Sequence, residues 1–320
     1  MPLAIHRYKF FRPNQAAQLR RLELTVRGVV EGVFAGLHKS PHKGFSIEFA
    51  EHREYVPGDE IKHLDWTVLA RTDRYYIKQY EQETNLRATI CLDASASMGF
   101  GSAFSAPKQK KSASPQPQGV SKFEYGAVLA ASIAYMLSNQ QDYVGLTVFD
   151  TDIRLELPQG NGPSHLDQLF KKLELISPGN QTNVADTLHH LANKIPRRGL
   201  VILISDLLDD ADKILLALQH LKHARHQMIV LQVLDRGETD LSYNRPVTFE
   251  DMEDGSRLQI DPKLIRDDYR REFGNFLEEV RSRCGQFRID HVLAFTDIPW
   301  DEQIREVLRR TAGKPGSAGR

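Results

Sequence analysis

The sequence predicts an α/β fold: a doubly wound, Rossmann-like, mostly parallel sheet covered by helices on both faces, with one antiparallel edge strand. Three observations predict it. Apolar runs at Ala88–Leu92, Leu200–Ile204 and Met228–Leu234 have the pattern of buried strands. Segments with apolar residues at helical spacing alternate with them, which is the signature of a parallel sheet between helical layers. Tyr143–Phe149 is followed, after only Asp150-Thr151-Asp152, by the alternating Ile153–Leu157, and so short a link makes a hairpin that turns one edge antiparallel.

The elements follow in order. Pro13 to about Gly36 carries an irregular apolar series, read as mainly helix and strand edge. Ser40 to Glu83 is charged and aromatic; Pro57-Gly58 suits the centre of a type II turn and Tyr75–Tyr80 a strand. In the same stretch Trp66 and Tyr55 read as packing residues, and Arg53, Asp59, Asp65 and Arg71 as a mutually paired set. Gly101 to Val120 is rich in Ser, Ala, Pro, Lys and Gln and has almost nothing apolar to bury, so a mobile loop is expected there, with Lys108, Lys110 and Lys111 as solubilising charges. Helices are expected at Phe123–Ser138, Ser164–Leu175, Val184–Lys194 and Ala211–His223. Val247–Asp251 and Arg257–Ile260, joined through Asp254-Gly255, read as a surface hairpin. A long helix from Pro262 to Arg283, a last strand near Phe287–Ala294 and a short helix complete the fold. The expected organisation is an N-terminal extension over 1–84, an α/β domain over 85–312 with its insertion at 101–120, and a disordered tail over 313–320.

Composition excludes several classes. The 320 residues contain 42 Lys+Arg and 42 Asp+Glu, a formal net charge of zero, so nothing in the bulk charge favours nucleic acid or an anionic membrane. Two cysteines, Cys91 and Cys284, rule out a disulfide framework and suit a reducing compartment. No stretch reaches the roughly 18 apolar residues of a membrane span, and Met1–Phe10 lacks the apolar segment of a secretion signal, so a cytoplasmic protein is expected. Neither a P-loop nor a dinucleotide fingerprint occurs. His220, His223 and His226 have helical spacing but no Cys or carboxylate to complete a set, and they read as a solvated helix end.

One constellation carries chemistry. Asp93-Ala94-Ser95-Ala96-Ser97 follows a buried strand, and in extended backbone residues two apart share a side, so Asp93, Ser95 and Ser97 can face one spot. Taken alone, D-x-S-x-S equally suits a turn or helix cap. Two distant segments add to it: Thr182, in the polar loop before the helix at Val184, and Asp206, at the end of the strand Leu200–Ile204. Open α/β sheets gather ligands outside the carboxyl ends of their strands, where these segments converge. Oxygen-only ligands suit Mg²⁺ or Mn²⁺ rather than Zn²⁺.

The set Asp93, Ser95, Ser97, Thr182 and Asp206 resembles the metal-ion-dependent adhesion site of von Willebrand factor A domains. Arg53–Asp59, Leu64-Asp65-Trp66, Ala70-Arg71-Thr72 and Lys78–Glu81, upstream of Asp93–Met98, are similar to the bacterial domain-of-unknown-function-58 family, with Lys62 where such sequences often carry Arg. The resemblance runs from about His38 to Leu308. It implies a von Willebrand factor A-like domain, no established enzymatic activity, and association with MoxR-type AAA+ ATPases. The leading expectation is therefore a non-enzymatic adaptor that offers its Mg²⁺ to an acidic side chain of a MoxR-type ATPase or of that ATPase's client. The alternative is a Mg²⁺-dependent hydrolase or phosphotransferase with Asp93 as nucleophile or base. It lacks a cationic group for the phosphate, because no Lys or Arg lies between Asp93 and Phe100 or between Ser177 and Ala192. A metal-free scaffold is the third option.

Overall fold

The computed structural model describes residues 8–12, 15–16, 47–56, 64–82, 86–101, 120–179, 184–195, 199–209, 211–223, 226–241, 243, 245–250 and 255–312. The Pro57-Gly58 turn, Asp59, Lys62, the three insertion lysines, Thr182 and the tail from Gly313 lie outside them. The chain divides into two compact units, one of Phe34–Asn85 and one of Met1–Val33 with Leu86–Arg320.

In the smaller unit, β1 (Ile47–Glu54) pairs antiparallel with β2 (Tyr76–Gln82), with an irregularity between Phe49 and Glu51. Helix α1 (Trp66–Thr72) starts at Asp65, whose Oδ1 accepts from the Thr67 N–H at 2.9 Å and the Val68 N–H at 3.3 Å. Leu64-Asp65-Trp66 is thus a helix start: the aspartate offsets two of the unpaired amides of the first turn. Trp66 is 62% exposed, contrary to the packing expected of it, because the cap puts its side chain on the outward side of a helix with no buried residue. Tyr55 and Tyr75 rings lie 6.2 Å apart.

The larger unit holds a six-stranded sheet in the order β10-β7-β6-β3-β4-β5, made of β3 (Arg87–Asp93), β4 (Tyr143–Phe149), β5 (Ile153–Gly160), β6 (Leu200–Ser205), β7 (Gln227–Leu234) and β10 (Asp290–Phe295). Only β5, at one edge, runs antiparallel. Among the described residues its helices are α2 (Lys122–Asn139), α3 (Pro163–Glu174), α4 (Val184–Lys194), α5 (Ala211–His223), α6 (Arg236–Asp240), α7 (Pro262–Gln286) and α8 (Trp300–Ala312). Alternation along the strands divides the core. Cys91, Val201, Leu203, Met228 and Val230 face Leu188, Leu191, Leu218 and Val280 of α4, α5 and α7. On the other face, α2 crosses close over Leu92 and Ile204, and α3 and α8 pack against it. A separate two-stranded hairpin, β8 (Val247–Glu250) and β9 (Arg257–Ile260), turns at Gly255, whose φ of 71° suits glycine. α7 runs on to Gln286, so the last strand starts at Asp290, three residues later than its apolar pattern suggests.

Residues near the N-terminus belong to this unit and not to an extension reaching to residue 84. Phe11 is fully buried, stacked on Phe170 of α3 at 4.8 Å and beside Tyr135 of α2, while Phe10 meets Phe123 edge-on at 6.3 Å. Lys9 pairs with Glu124 at 2.9 Å. Among the described residues, no helix is long and apolar enough to cross a membrane.

Asp142, between α2 and β4, is buried; its Oδ1 accepts from the Leu86 N–H at 2.8 Å and its Oδ2 has no partner. Burial pushes the carboxyl up to about 7, against the Leu86 hydrogen bond. A carboxyl whose folded pKa lies above its unfolded value of about 3.9 takes up a proton on folding, so its cost is full above pH 7 and fades below it. Asp142→Asn keeps the acceptor and removes the charge. It is expected to raise stability on the order of 1–2 kcal/mol at pH 8 and by roughly a third of that at pH 5, read from urea midpoints at the two pH values.

Candidate metal centre

The sheet order places a switch point between β3 and β6: from β3 the chain moves outward to β4 and β5, and from β6 it moves the other way to β7 and β10. The crevice at the carboxyl ends of these two neighbours is where such sheets take ligands. Asp93 ends β3, Ser205 ends β6, and Asp206 follows directly.

Asp93 is fully buried. Its Oδ1 accepts from the Ser95 N–H at 2.9 Å and its Oδ2 from the Ser205 hydroxyl at 2.6 Å. After it the chain makes a single 3₁₀ turn, Ser97–Gly99, in which the Met98 N–H bonds the Ser95 carbonyl at 3.2 Å. That turn brings the Ser95 and Ser97 hydroxyl oxygens to 3.1 Å. For octahedral Mg²⁺ with ligand distances of 2.0–2.1 Å, neighbouring oxygens stand about 3 Å apart, so the pair fits one edge of such a shell. Burial and the charge of Asp206, opposed by the Ser205 and Ser95 hydrogen bonds, push the Asp93 carboxyl up to about 7. A nearby cation would hold it ionised.

Thr182 lies outside the described residues. The loop leading to it starts beside the site: the Gly179 N–H donates to the Ala94 carbonyl at 3.0 Å, and Ala94 donates to Phe149 at 2.7 Å. Gly101 and Val120 are neighbours: a Cβ on Gly101 would lie 2.8 Å from the Val120 carbonyl oxygen.

Asp206 differs from expectation. It is fully buried beside the site, yet its Oδ2 accepts from the Lys122 ammonium at 2.8 Å and its Oδ1 from the Leu208 N–H at 3.1 Å. Leu207 between them takes φ 57°, a left-handed conformation uncommon for a branched residue, and its N–H bonds the Ser205 hydroxyl at 3.0 Å. Lys122, with no exposed side-chain surface, reaches Glu238 Oε1 at 2.5 Å as well. Burial by itself lowers the lysine, but the charges of Asp206 and Glu238 outweigh it and hold the ammonium above its usual range. Burial likewise raises Glu238, against the pull of Lys122. The site therefore contains a cation that the segments around Asp93 and Thr182 do not carry. Its sequence signal is a lysine at the first position of an otherwise buried helix, directly after the Ser121 N-cap, where the capping box with Glu124 fixes the helix start.

Among the described residues, no three His, Cys, Asp or Glu side chains converge to hold a metal; a cation here would rest on Asp93 and hydroxyls. The histidines split up. His220 meets His189 of α4, Nδ1 to Nδ1, at 3.0 Å, while His226 is 2% exposed with both ring nitrogens unpartnered, so it is a buried residue and not part of a solvated helix end. Cys91 and Cys284 are buried, and burial pushes both thiols up to about 12.

The family model described as "Protein of unknown function DUF58" matches residues 51–278. The chain belongs to the DUF58 family. This DUF58 chain is 29% identical over 266 residues to the uncharacterized proteins Rv1480 of Mycobacterium tuberculosis and Mb1516 of Mycobacterium bovis, covering 81% of itself and 78% of each. Among solved structures it is similar to the conserved hypothetical protein BatB of Bacteroides thetaiotaomicron, at TM-score 0.44 and 17% identity over 71% of this chain and 97% of that one. An aerotolerance-related membrane protein of Bacteroides fragilis gives TM-score 0.44 and 16% identity, over 72% and 100% of the two chains.

Proposed function

We propose that this DUF58 protein is a metal-dependent interaction module whose Mg²⁺ or Mn²⁺ is held by Asp93, Ser95 and Ser97, with Asp206 beside them and Thr182 as the further hydroxyl. The ion would supply a Lewis-acidic point able to accept a carboxylate from a partner, a MoxR-type AAA+ ATPase or its client. The observation that carries the reading is the Ser95–Ser97 oxygen pair, 3.1 Å apart beside a buried carboxylate. Charge supports it: Asp93, Asp206 and Glu238 set three carboxylates against the single ammonium of Lys122, an excess that a divalent cation balances. Lys122 does not turn the site toward phosphate. Two of its donors are committed to carboxylates and its side chain is fully buried, so it offers nothing to an incoming phosphoryl group.

Calorimetric titration of Mg²⁺ and Mn²⁺ into the chelator-stripped chain tests this. One ion is expected to bind per chain, with binding lost in Asp93→Ala and weakened about tenfold or more in Ser97→Ala, in line with the loss of a directly bound oxygen ligand. Equal binding by the native chain and Asp93→Ala would place the ion elsewhere.

A further inference from the structure

Metal binding at Asp93 leaves one feature without a role, the buried lysine. Lys122 opens α2, the end of a helix that disfavours cations, and removing an ammonium from water is costly unless its partners are well placed. An apolar side chain of similar volume would fill the space at less cost. What Lys122 adds is a connection. Its ammonium bridges Asp206 at 2.8 Å and Glu238 at 2.5 Å. The other Glu238 oxygen accepts from the Asp235 N–H at 3.3 Å, closing the capping box that starts α6. Asp235 in turn accepts from Gly237 N–H at 2.7 Å and the Thr296 hydroxyl at 2.8 Å. At the far end of α6, α7 holds three backbone carbonyls: Arg270 Nε donates to Asp240 at 2.9 Å, and Arg266 donates to Leu241 at 3.1 Å and Tyr243 at 2.7 Å. One ammonium thus joins the carboxyl end of β6 to a short helix clamped by the 25-residue α7.

We propose that Lys122 is a tethered competitor of the divalent cation: it neutralises Asp206 and, through Glu238, makes cation affinity and the placement of α6 depend on one another. The proposal rests on the metal reading of Asp93, Ser95 and Ser97. The physical basis is repulsion and sharing. A divalent charge beside Asp93 draws on Asp206 and repels the ammonium, so Lys122 leans on Glu238, and Glu238 then holds the α6 cap less well. The coupling is reciprocal: a partner that pulls on α6 or α7 changes cation affinity by the same factor by which the cation changes the partner's.

Calorimetry with Mg²⁺ alone, and hydrogen exchange of residues 236–241 with and without Mg²⁺, test this on the full chain and on Lys122→Met, Glu238→Gln and the exposed Glu272→Gln. The native chain is expected to bind Mg²⁺ and to lose protection at 236–241 on binding. Glu238→Gln leaves Lys122 to Asp206 alone; it is expected to weaken Mg²⁺ tenfold or more and to abolish the exchange response. Lys122→Met is expected to tighten Mg²⁺ tenfold or more, and Glu272→Gln to change neither readout. Glu238→Gln keeps the ammonium paired, so it carries the test even where Lys122→Met fails to fold. A native chain that binds Mg²⁺, with Glu238→Gln binding equally well and 236–241 unresponsive, overturns the coupling and leaves the metal site standing. A native chain that binds no Mg²⁺ overturns the metal reading, and the coupling with it.

Discussion

In chelator, Asp206→Ala unfolds at a much lower urea concentration than the native chain, losing about 3–5 kcal/mol, while Asp93→Asn loses less than about 1 kcal/mol. The two aspartates lie side by side and are both fully buried, so exposure cannot separate them. Their partners do. Asp206 offsets a buried ammonium, and its removal leaves Lys122 with Glu238 alone and the Leu208 N–H without its acceptor. Breaking a buried ion pair from one side costs far more than the pair contributes, because the remaining charge is left in a poorly polarisable interior. Asp93 meets neutral donors, those of Ser95 and the Ser205 hydroxyl. An asparagine can accept from the first and donate to the second, since the Ser205 oxygen has lone pairs to receive it. Equal losses from the two substitutions would show that Lys122 is not held as described.

Gly199→Ala is the second large loss, about 3 kcal/mol, at the upper end for forcing atoms into a packed interior. A Cβ at Gly199 would lie 2.3 Å from the Arg87 carbonyl oxygen, and that atom belongs to backbone that cannot rotate aside. The Gly199 carbonyl also accepts from the Gln227 N–H at 2.9 Å, and pairing of β3 with β6 begins one residue later, at Ala88 and Leu200. The alanine therefore wedges apart the start of three adjacent strands. Gly274→Ala makes the control: it lies in α7 with nothing near its Cβ position, and helix propensity alone favours it by about 0.5–1 kcal/mol. Thermal or urea unfolding of both variants checks the contrast; a mild effect at Gly199 would mean that the strands open there without cost.

The sheet was legible because its strands carry their reasons locally. Leu200–Ile204 and, Gln232 apart, Met228–Leu234 are apolar on both faces, and the Asp150-Thr151-Asp152 link leaves β5 no course but the antiparallel one. Helix α4 shows its own period and spans Val184–Lys194, the range its pattern indicates. The candidate site was legible only in part. Asp93, Ser95 and Asp206 stand at strand ends because the apolar runs stop there, but the ion pair that claims Asp206 joins it to Lys122, 84 positions away, and Lys122 reaches Glu238 over a further separation of 116 positions. No local pattern encodes such a pair, and a lysine next to an N-cap reads as solvated until the fold buries it. The same limit applies to Phe10 and Phe11, whose partners are Phe123, Tyr135 and Phe170. β1 was missed for another reason: its charged residues, such as Glu48, Glu51 and His52, hide a strand that pairs, among the described residues, with β2 alone.

The buried glutamine of β7 makes the strand end that carries Asp206 observable from β10, at the edge of the sheet. Gln232 donates through Nε2 to the Asp206 carbonyl at 3.0 Å, which leaves its Oε1 to accept from His291 Nε2 at 2.9 Å. His291 therefore carries its proton on Nε2, a single tautomer fixed by an amide that can face only one way. That imidazole N–H is shielded from water and joined through one side chain to the peptide group of Asp206. Its ¹⁵N and ¹H resonances form an intrinsic spectroscopic probe of the strand end, sensitive to any shift of Asp206 and requiring no label near the site.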